Sequence, residues 1–140
     1  MSLQETEAEC AAVATAPRVS LFDIEASIAC RVDSTADKLA SENIQADIKR
    51  KLSLLSVCIL VMRNGFSVIG KSAPASPENF DAGLGRKLAY EDAIRQLWPL
   101  MGFSLRDRLH ALQTAFKQSA PGRANLAFGG PFPEEGSDQR

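Results

Sequence analysis

The sequence predicts an α+β domain in which an antiparallel β-hairpin is flanked by α-helices and completed by oligomerisation. A nearly continuous apolar run over residues 54–62, followed at once by Asn64-Gly65, indicates the hairpin. Apolar residues at helical spacing on both sides of it indicate the helices. Because two strands alone are marginally stable and leave open edges, we expect helices or a second chain to cover them.

The segment before the hairpin predicts two helices. Ser20 begins the first, since Asp23 three positions later can complete an N-terminal capping box. A second helix begins at Ser34 or Thr35. The apolar stripe of the first helix is Leu21, Ile24, Ile28 and Val32, and that of the second is Leu39, Ile44, Ile48 and Leu52.

Residues 54–62 predict a strand that is covered on both faces, because so short a continuous apolar run is typical of a buried strand. Asn64-Gly65 predicts a type I′ turn, which requires positive φ at two successive residues. Apolar residues then alternate along the return strand. Pro74 and Pro77 end the ladder, since proline has no amide hydrogen to donate.

Two further helices are predicted after the hairpin. Ser76 caps the first, with Pro77 at its first position, and Pro99 ends it. Ser104 begins the last helix, and its apolar face contains Leu105, Leu109, Leu112 and Phe116. Two glycines early in the first of these helices, Gly83 and Gly85, indicate a close backbone approach to the hairpin or to a neighbouring subunit.

The chain of 140 residues has the length of one domain. We predict a flexible segment at 1–18 that frays or forms a weak helix, an α+β domain at 19–118, and a flexible tail at 119–140 that contains three prolines and four glycines. No apolar run is long enough to span a bilayer, so we expect no membrane partner. Three cysteines without a close pair favour a reducing compartment, most simply the cytoplasm.

The net charge of −1 conceals a segregation of charge along the chain. Residues 49–123 contain twelve basic and five acidic residues, whereas residues 1–48 contain nine acidic and three basic ones. A basic middle suits an anionic ligand, or self-association through unlike ends. Solvated surface charge explains the same pattern equally well.

The sequence contains no recognisable catalytic or metal-binding motif, so we expect neither enzyme activity nor a cofactor. His110 is the single histidine, and no cysteines stand near it at the spacing of a zinc site. Cys58 lies within the apolar strand, where a buried inert thiol is expected. Residues 83–87 (GLGRK) lack the spacing of a phosphate-binding loop.

Cations and aromatic residues supply the candidate ligand-binding site. Brought together across a subunit interface, guanidinium groups could surround a phosphate while an aromatic ring stacks on a base. The candidate residues are Arg63, Phe66, Arg86, Lys87, Tyr90 and Arg95. In the alternative interpretation, Arg86 and Arg95 pair with Glu91 and Asp92, and Trp98 is a core residue.

The chain resembles a family of small tailed-phage and prophage proteins, the Gp-forty-nine and gene-sixty-six family. The motifs that carry this resemblance are residues 60–73 (LVMRNGFSVIGKSA), 76–81 (SPENFD), 85–94 (GRKLAYEDAI) and 97–103 (LWPLMGF), with the helix start at 23–25 (DIE). The resemblance covers residues 20–30 and 54–109. It implies a phage or prophage origin and an accessory role in the host cytoplasm.

Two functions from different classes are compatible with these features. The first is a non-enzymatic, oligomeric binder that sequesters a small phosphorylated host molecule, such as a cyclic-nucleotide immune signal, and so counters anti-phage defence. The second is a protein-interaction or nucleic-acid-binding module that modulates a host factor. Duplex DNA is not an expected partner, because no helix concentrates Arg, Asn and Gln on one face.

Overall fold

The computed structural model describes residues 1–119, and the chain divides into two units, the second of which begins at Ser104. The first unit contains a three-stranded antiparallel sheet of order β1-β2-β3, which confirms the α+β prediction. The elements in chain order are α1 (Leu3–Val13), α2 (Leu21–Ala26), β1 (Ile28–Thr35), α3 (Ala46–Leu52), β2 (Ser56–Met62), β3 (Ser67–Ser72) and α4 (Ala82–Ser119), with 3₁₀ turns at Ala36–Leu39 and Pro77–Asn79.

The helix predicted from Ser20 onwards is correct only in its first half. The capping box is present, since the Ser20 hydroxyl accepts from the Asp23 amide and the Asp23 carboxylate accepts from the Ser20 amide. The helix ends at Ala26, and Ile28 begins strand β1, which pairs with β2. Ile28 and Val32 are four positions apart, a spacing that fits a helix face and, in a regular strand, one strand face. Here a register shift between Ile28 and Cys30 pairs Ile28 with Met62 and Val32 with Ile59, which lie on opposite faces of the sheet. Pairing with β2 decides between helix and strand.

The second predicted helix is also wrong over most of its length. Thr35 precedes a 3₁₀ turn, and its hydroxyl donates to the Asp37 carboxylate instead of capping a backbone amide. Helix α3 begins only at Ala46. Residues 40–45, which include Ser41 and Asn43, separate the two elements, as expected for residues whose side chains compete with helical hydrogen bonds.

The hairpin is confirmed, but its turn is not type I′. Asn64 does not have positive φ, whereas Gly65 has a φ of 89°. The Gly65 amide donates to the Met62 carbonyl (2.9 Å), and the Met62 amide donates to the Phe66 carbonyl (2.8 Å). This is the pattern of a three-residue loop whose last residue is left-handed, a position that favours glycine.

Helix α4 departs from the prediction at both ends. Ser76 and Pro77 lead into a 3₁₀ turn, and α4 begins at Ala82, where the Asp81 carboxylate accepts from the Leu84 amide (2.8 Å). The helix continues through Pro99 to Ser119. Proline removes one backbone hydrogen bond, and the buried residue Leu97 and the indole of Trp98, which donates to the Val19 carbonyl, hold the preceding turn in place.

The core lies between the sheet and the first part of α4. Its fully buried members are Ile24, Cys58, Leu60, Ala89, Ala93, Ile94 and Leu97. Gly70 of β3 is packed directly against the α4 backbone at Ala89, and a Cβ atom placed on it would lie 2.5 Å from the Ala93 nitrogen. Gly85 is likewise packed against Ser56 of β2, as predicted from its position early in the helix. The same prediction is wrong for Gly83, whose added Cβ would meet only the Asp81 side chain, at 3.4 Å.

The N-terminal segment is helical from Leu3 to Val13, which is one of the two predicted alternatives, a frayed segment or a weak helix. Leu3 is buried against the core. Glu7 accepts two hydrogen bonds from the Arg18 guanidinium and one from the Leu21 amide (3.0 Å), and the guanidinium lowers the pKa of Glu7. This carboxylate therefore connects α1 to the start of α2.

We expect Gly70→Ala to lower the free energy of unfolding by at least about 1–3 kcal/mol, because the added methyl group would overlap the α4 backbone. Gly102→Ala is the matched control, since nothing lies within 4 Å of its added Cβ and alanine favours a helix by up to about 1 kcal/mol. Urea denaturation measures both. Equal stabilities of the two variants would contradict the close approach at Gly70.

Candidate functional site

A cavity of about 200 Å³ lies at the end of the sheet where β1 finishes and β2 begins. Strand β1, the following 3₁₀ turn, the first residue of β2 and the first two turns of α4 each contribute to its wall. The lining residues are Asp33, Ser34, Thr35, Lys38, Ser56, Ala82 and Arg86. Gly85 allows α4 to come close enough to Ser56 for Arg86 to reach this wall.

The cavity wall combines two cations with several hydroxyl groups. Within residues 1–119, neither Arg86 nor Lys38 forms an ion pair. The one carboxylate in the wall, that of Asp33, lies 2.9 Å from Nε of Arg31 and is therefore partly neutralised. The Thr35 and Ser34 hydroxyls already donate to the Asp37 carboxylate and the Thr35 carbonyl. The arginine and the lysine are therefore the donors in this wall that suit a phosphate or carboxylate.

A second cavity of about 200 Å³ lies on the other side of Ser56. Its wall includes Asp81 and Asn79 but no basic residue, and the rest is mostly apolar or small. Its polar character does not suit an anion. The cavity that contains Arg86 is therefore the candidate anion site, and we refer to it as the Arg86 cavity.

The six candidate residues do not converge within one chain. Arg63 and Phe66 lie at the hairpin, where Nε of Arg63 donates to the Ala26 carbonyl (2.8 Å) and Phe66 is 52% exposed. The Arg86 cavity is at the opposite end of β2, which is about 20 Å away for a seven-residue strand. Lys87 is exposed and does not line the cavity.

Arg95 pairs with an acidic residue of its own helix, as the alternative interpretation predicts. Its guanidinium lies 3.5 Å from the buried Glu91 carboxylate, whereas Asp92 accepts from the Lys71 amide (2.9 Å). Arg86 pairs with neither of these acids. Trp98 is partly buried against the core, as that interpretation also requires.

Tyr90 belongs to a polar cluster between α4 and β1 that the sequence did not reveal. The Arg31 guanidinium stacks over the Tyr90 ring at 4.1 Å, and the Tyr90 hydroxyl donates to Glu25 (3.3 Å). Arg31 and Asp33 come from the segment that was predicted as a helix. Cys30 and Val32 alternate with the charged residues Arg31 and Asp33, and this period of two is the signal for a strand there.

Two groups with acid–base potential in this region stay protonated at neutral pH. Burial, with the Asp33 carboxylate as the next cause, raises the pKa of Cys58 to about 11. Burial and the Glu25 carboxylate raise the pKa of Tyr90 to about 12. Neither group is poised as a nucleophile or a general base, which agrees with the inert thiol predicted at Cys58.

Other kinds of site are not apparent in the described part of the chain. Residues 1–119 contain no cluster of three or more His, Cys, Asp or Glu side chains that could hold a metal ion. His110 lies exposed on α4 in the second unit. None of the helices in residues 1–119 is both long and apolar enough to cross a membrane.

We expect Cys10 and Cys30 to react rapidly with Ellman's reagent at pH 8, because both are exposed. Cys58 should react only on unfolding, because it is buried and its raised pKa leaves it about 100-fold less thiolate than an ordinary thiol. Cys58→Ala is the control, and it should abolish only the reaction that appears on unfolding. Three thiols reacting at one rate in the native protein would show that Cys58 is accessible.

Comparison with known proteins places the chain in a family. No curated protein and no solved structure matched it. Residues 20–109 match the phage protein (N4 Gp49/phage Sf6 gene 66) family. This range contains β1, β2, β3 and all residues of the Arg86 cavity, and it includes residues 31–53, which lie outside the motifs that carry the resemblance. Since the match extends over more than half of its length, the chain belongs to the phage protein (N4 Gp49/phage Sf6 gene 66) family.

Proposed function

We propose that this phage-family protein is a non-enzymatic, oligomeric binder of a small phosphorylated molecule. The observation that carries the proposal is the Arg86 cavity, where Arg86 and Lys38 have no ion-pair partner among residues 1–119 and hydroxyls line the same wall. A guanidinium with no carboxylate partner at a cavity wall is available to form paired hydrogen bonds to phosphate oxygens.

The cavity size limits the ligand. At about 200 Å³ it is smaller than the ~300–1,000 Å³ that is usual for ligand pockets. It can hold a phosphate with part of its sugar, and a nucleotide base would lie outside it. The proposed ligand class is therefore a phosphate-bearing metabolite or a cyclic nucleotide held through its phosphate.

The biological role that we propose is sequestration of a host immune signal in the host cytoplasm. The phage family supports a setting in which binding a host molecule benefits the phage. Cys58 and Tyr90 do not line the cavity, and both are protonated, so they offer no activated nucleophile beneath α4. This supports binding without turnover. A sequestering protein then works stoichiometrically, with one ligand for each cavity.

We expect Arg86→Ala to weaken binding of a phosphorylated ligand by about 10- to 100-fold, since a charge-assisted hydrogen bond contributes roughly 1.5–3 kcal/mol. Isothermal titration calorimetry with a panel of 3′,5′-cyclic mononucleotides, cyclic dinucleotides and ribose 5-phosphate would measure the effect. Lys87→Ala is the matched control, because Lys87 is the next residue and has the same charge but does not line the cavity. Equal losses in both variants would indicate nonspecific attraction, and no binding by the wild-type protein would refute the proposal.

A second candidate function is protein interaction, and it rests on the C-terminal part of α4. Leu112 and Phe116 are 67% and 77% exposed, one helical turn apart. Together with Leu105 and Leu109 they follow the four-three-four spacing of an apolar helix face. Such a face suits a groove or a helix on a host protein.

For this second candidate, Leu112→Gln combined with Phe116→Gln should abolish capture of a host protein in an affinity pull-down. The double variant should retain its helical circular dichroism spectrum, because neither side chain is buried. Gln113→Ala with Lys117→Ala, on neighbouring positions of the same turns, is the control. Undiminished capture by the double glutamine variant would exclude this face.

A further inference from the structure

The two edge strands of the sheet differ in whether other parts of the chain hydrogen-bond to their free backbone groups. At the β3 edge, the Lys71 amide donates to the Asp92 carboxylate (2.9 Å), and the Ile69 carbonyl accepts from the Gln96 side chain (2.7 Å). Both partners belong to α4, which therefore satisfies backbone groups that would otherwise be open. Side-chain cover of this kind prevents another strand from pairing there.

The β1 edge has no such cover. Five successive residues, 29–33, are exposed, and in the described part of the chain no hydrogen bond from outside the sheet reaches their backbone. The register with β2 shifts between Ile28 and Cys30, and the regular part of the strand, residues 30–35, is long enough to pair with another strand along its free edge. The strand also contains no proline to interrupt such a ladder.

We propose that β1 pairs with β1 of a second copy of this chain, antiparallel and centred on Val32. The result is a six-stranded sheet of order β3-β2-β1-β1-β2-β3 across the dimer, which is an ordinary sheet size. This dimer specifies the oligomer of the proposed function, but it rests on the strand edge and not on the cavity, so dimerisation and ligand binding can fail separately.

Charge selects this register over its neighbours. A two-fold axis perpendicular to the sheet keeps its two faces distinct, so each residue lies opposite a partner residue whose side chain is on the same face. The axis must therefore pass beside one residue, which lies opposite its own counterpart. Centring on Arg31 places two arginines opposite each other, and centring on Asp33 places two aspartates together. Centring on Val32 places Arg31 opposite Asp33 of the partner subunit, twice. Opposite charges in directly facing positions stabilise a sheet, and like charges destabilise it.

The outer face of the sheet supports the same arrangement. Val32 pairs with Ile59, and Ile59 pairs with Ile69, so the three side chains form a row across one face. Val32 is 46% and Ile69 58% exposed. Joining two copies at Val32 extends this row across the dimer and buries the exposed part of Val32 against its counterpart.

The pairing also has a consequence for the Arg86 cavity. Asp33 lines that cavity, and in this register it faces Arg31 of the partner subunit. The partner therefore supplies a further cation beside the cavity wall, so the dimer is more favourable for an anion there than the single chain.

The decisive experiment is charge reversal followed by mixing. Arg31→Asp and Asp33→Arg each create like-charge pairs in their own homodimer, so we expect each to weaken dimerisation at least about tenfold. An equimolar mixture should recover a heterodimer, because the two variants then oppose unlike charges. Sedimentation equilibrium reports the masses, with the wild type at twice 15.1 kDa.

The mixture distinguishes the proposed contact between chains from the Arg31–Asp33 ion pair within one chain. Neither variant regains the pair within its own chain, so recovery of the dimer must come from the contact between chains. Asp47→Arg and Arg50→Asp, which reverse an exposed pair on α3, are the controls and should leave the dimer intact. A monomeric wild type, or single variants that dimerise as tightly as the wild type, would overturn the proposal. The charges of β1 would then serve to keep this edge unpaired.

A cross-link tests the register itself. In a Cys10→Ser, Cys30→Ser background, which removes the exposed native thiols, Val32→Cys should give a disulfide-linked dimer under mild oxidation, because the two side chains face each other at the axis. Ile69→Cys is the matched control, since it is exposed on the same face but lies on the covered β3 edge. Both variants should keep the wild-type circular dichroism spectrum. Equal cross-linking of the two variants, or none in Val32→Cys, would reject this register.

Discussion

The close approach of α4 to strand β3 at Gly70 is the constraint on which the rest of the first unit depends. Ala89 and Ala93 present small side chains at this contact, and Gly70 presents none, so the helix backbone lies against the strand. At that separation the neighbouring helical positions reach the sheet as well. A larger residue at any of the three positions would lift the helix and withdraw those contacts together.

Three consequences of this contact are distributed along the helix. Near its start, Gly85 meets Ser56 and brings Arg86 to the cavity at the end of β1. In the middle, Tyr90 lies under the Arg31 guanidinium. On the side that faces β3, Asp92 and Gln96 bond to the free strand edge. One packing contact therefore determines the position of the candidate site and which sheet edge is left open.

The polar groups beneath α4 differ in their charge and in their partners. Cys58 and Tyr90 are held in their neutral forms by burial and by nearby carboxylates. Glu91 is buried, and the guanidinium of Arg95 lies 3.5 Å from it. By contrast, Arg86 and Lys38 at the cavity have no ion-pair partner among residues 1–119. Cations without a carboxylate partner at a cavity wall are suited to holding an anion.

The local sequence determined the elements whose signals lie within a few residues. The Ser20–Asp23 box, the β2 strand and the hairpin at Gly65 were predictable because capping, apolar continuity and positive φ are properties of short segments. The family was recognisable for the same reason, since its motifs are contiguous. Only the tertiary structure decided that residues 28–35 form a strand, because their spacing fits both a helix and a strand and β2 provides the partner. Likewise, the passage of α4 through Pro99 and the separation of Arg63 from Arg86 depend on packing between distant parts of the chain, which no local pattern encodes.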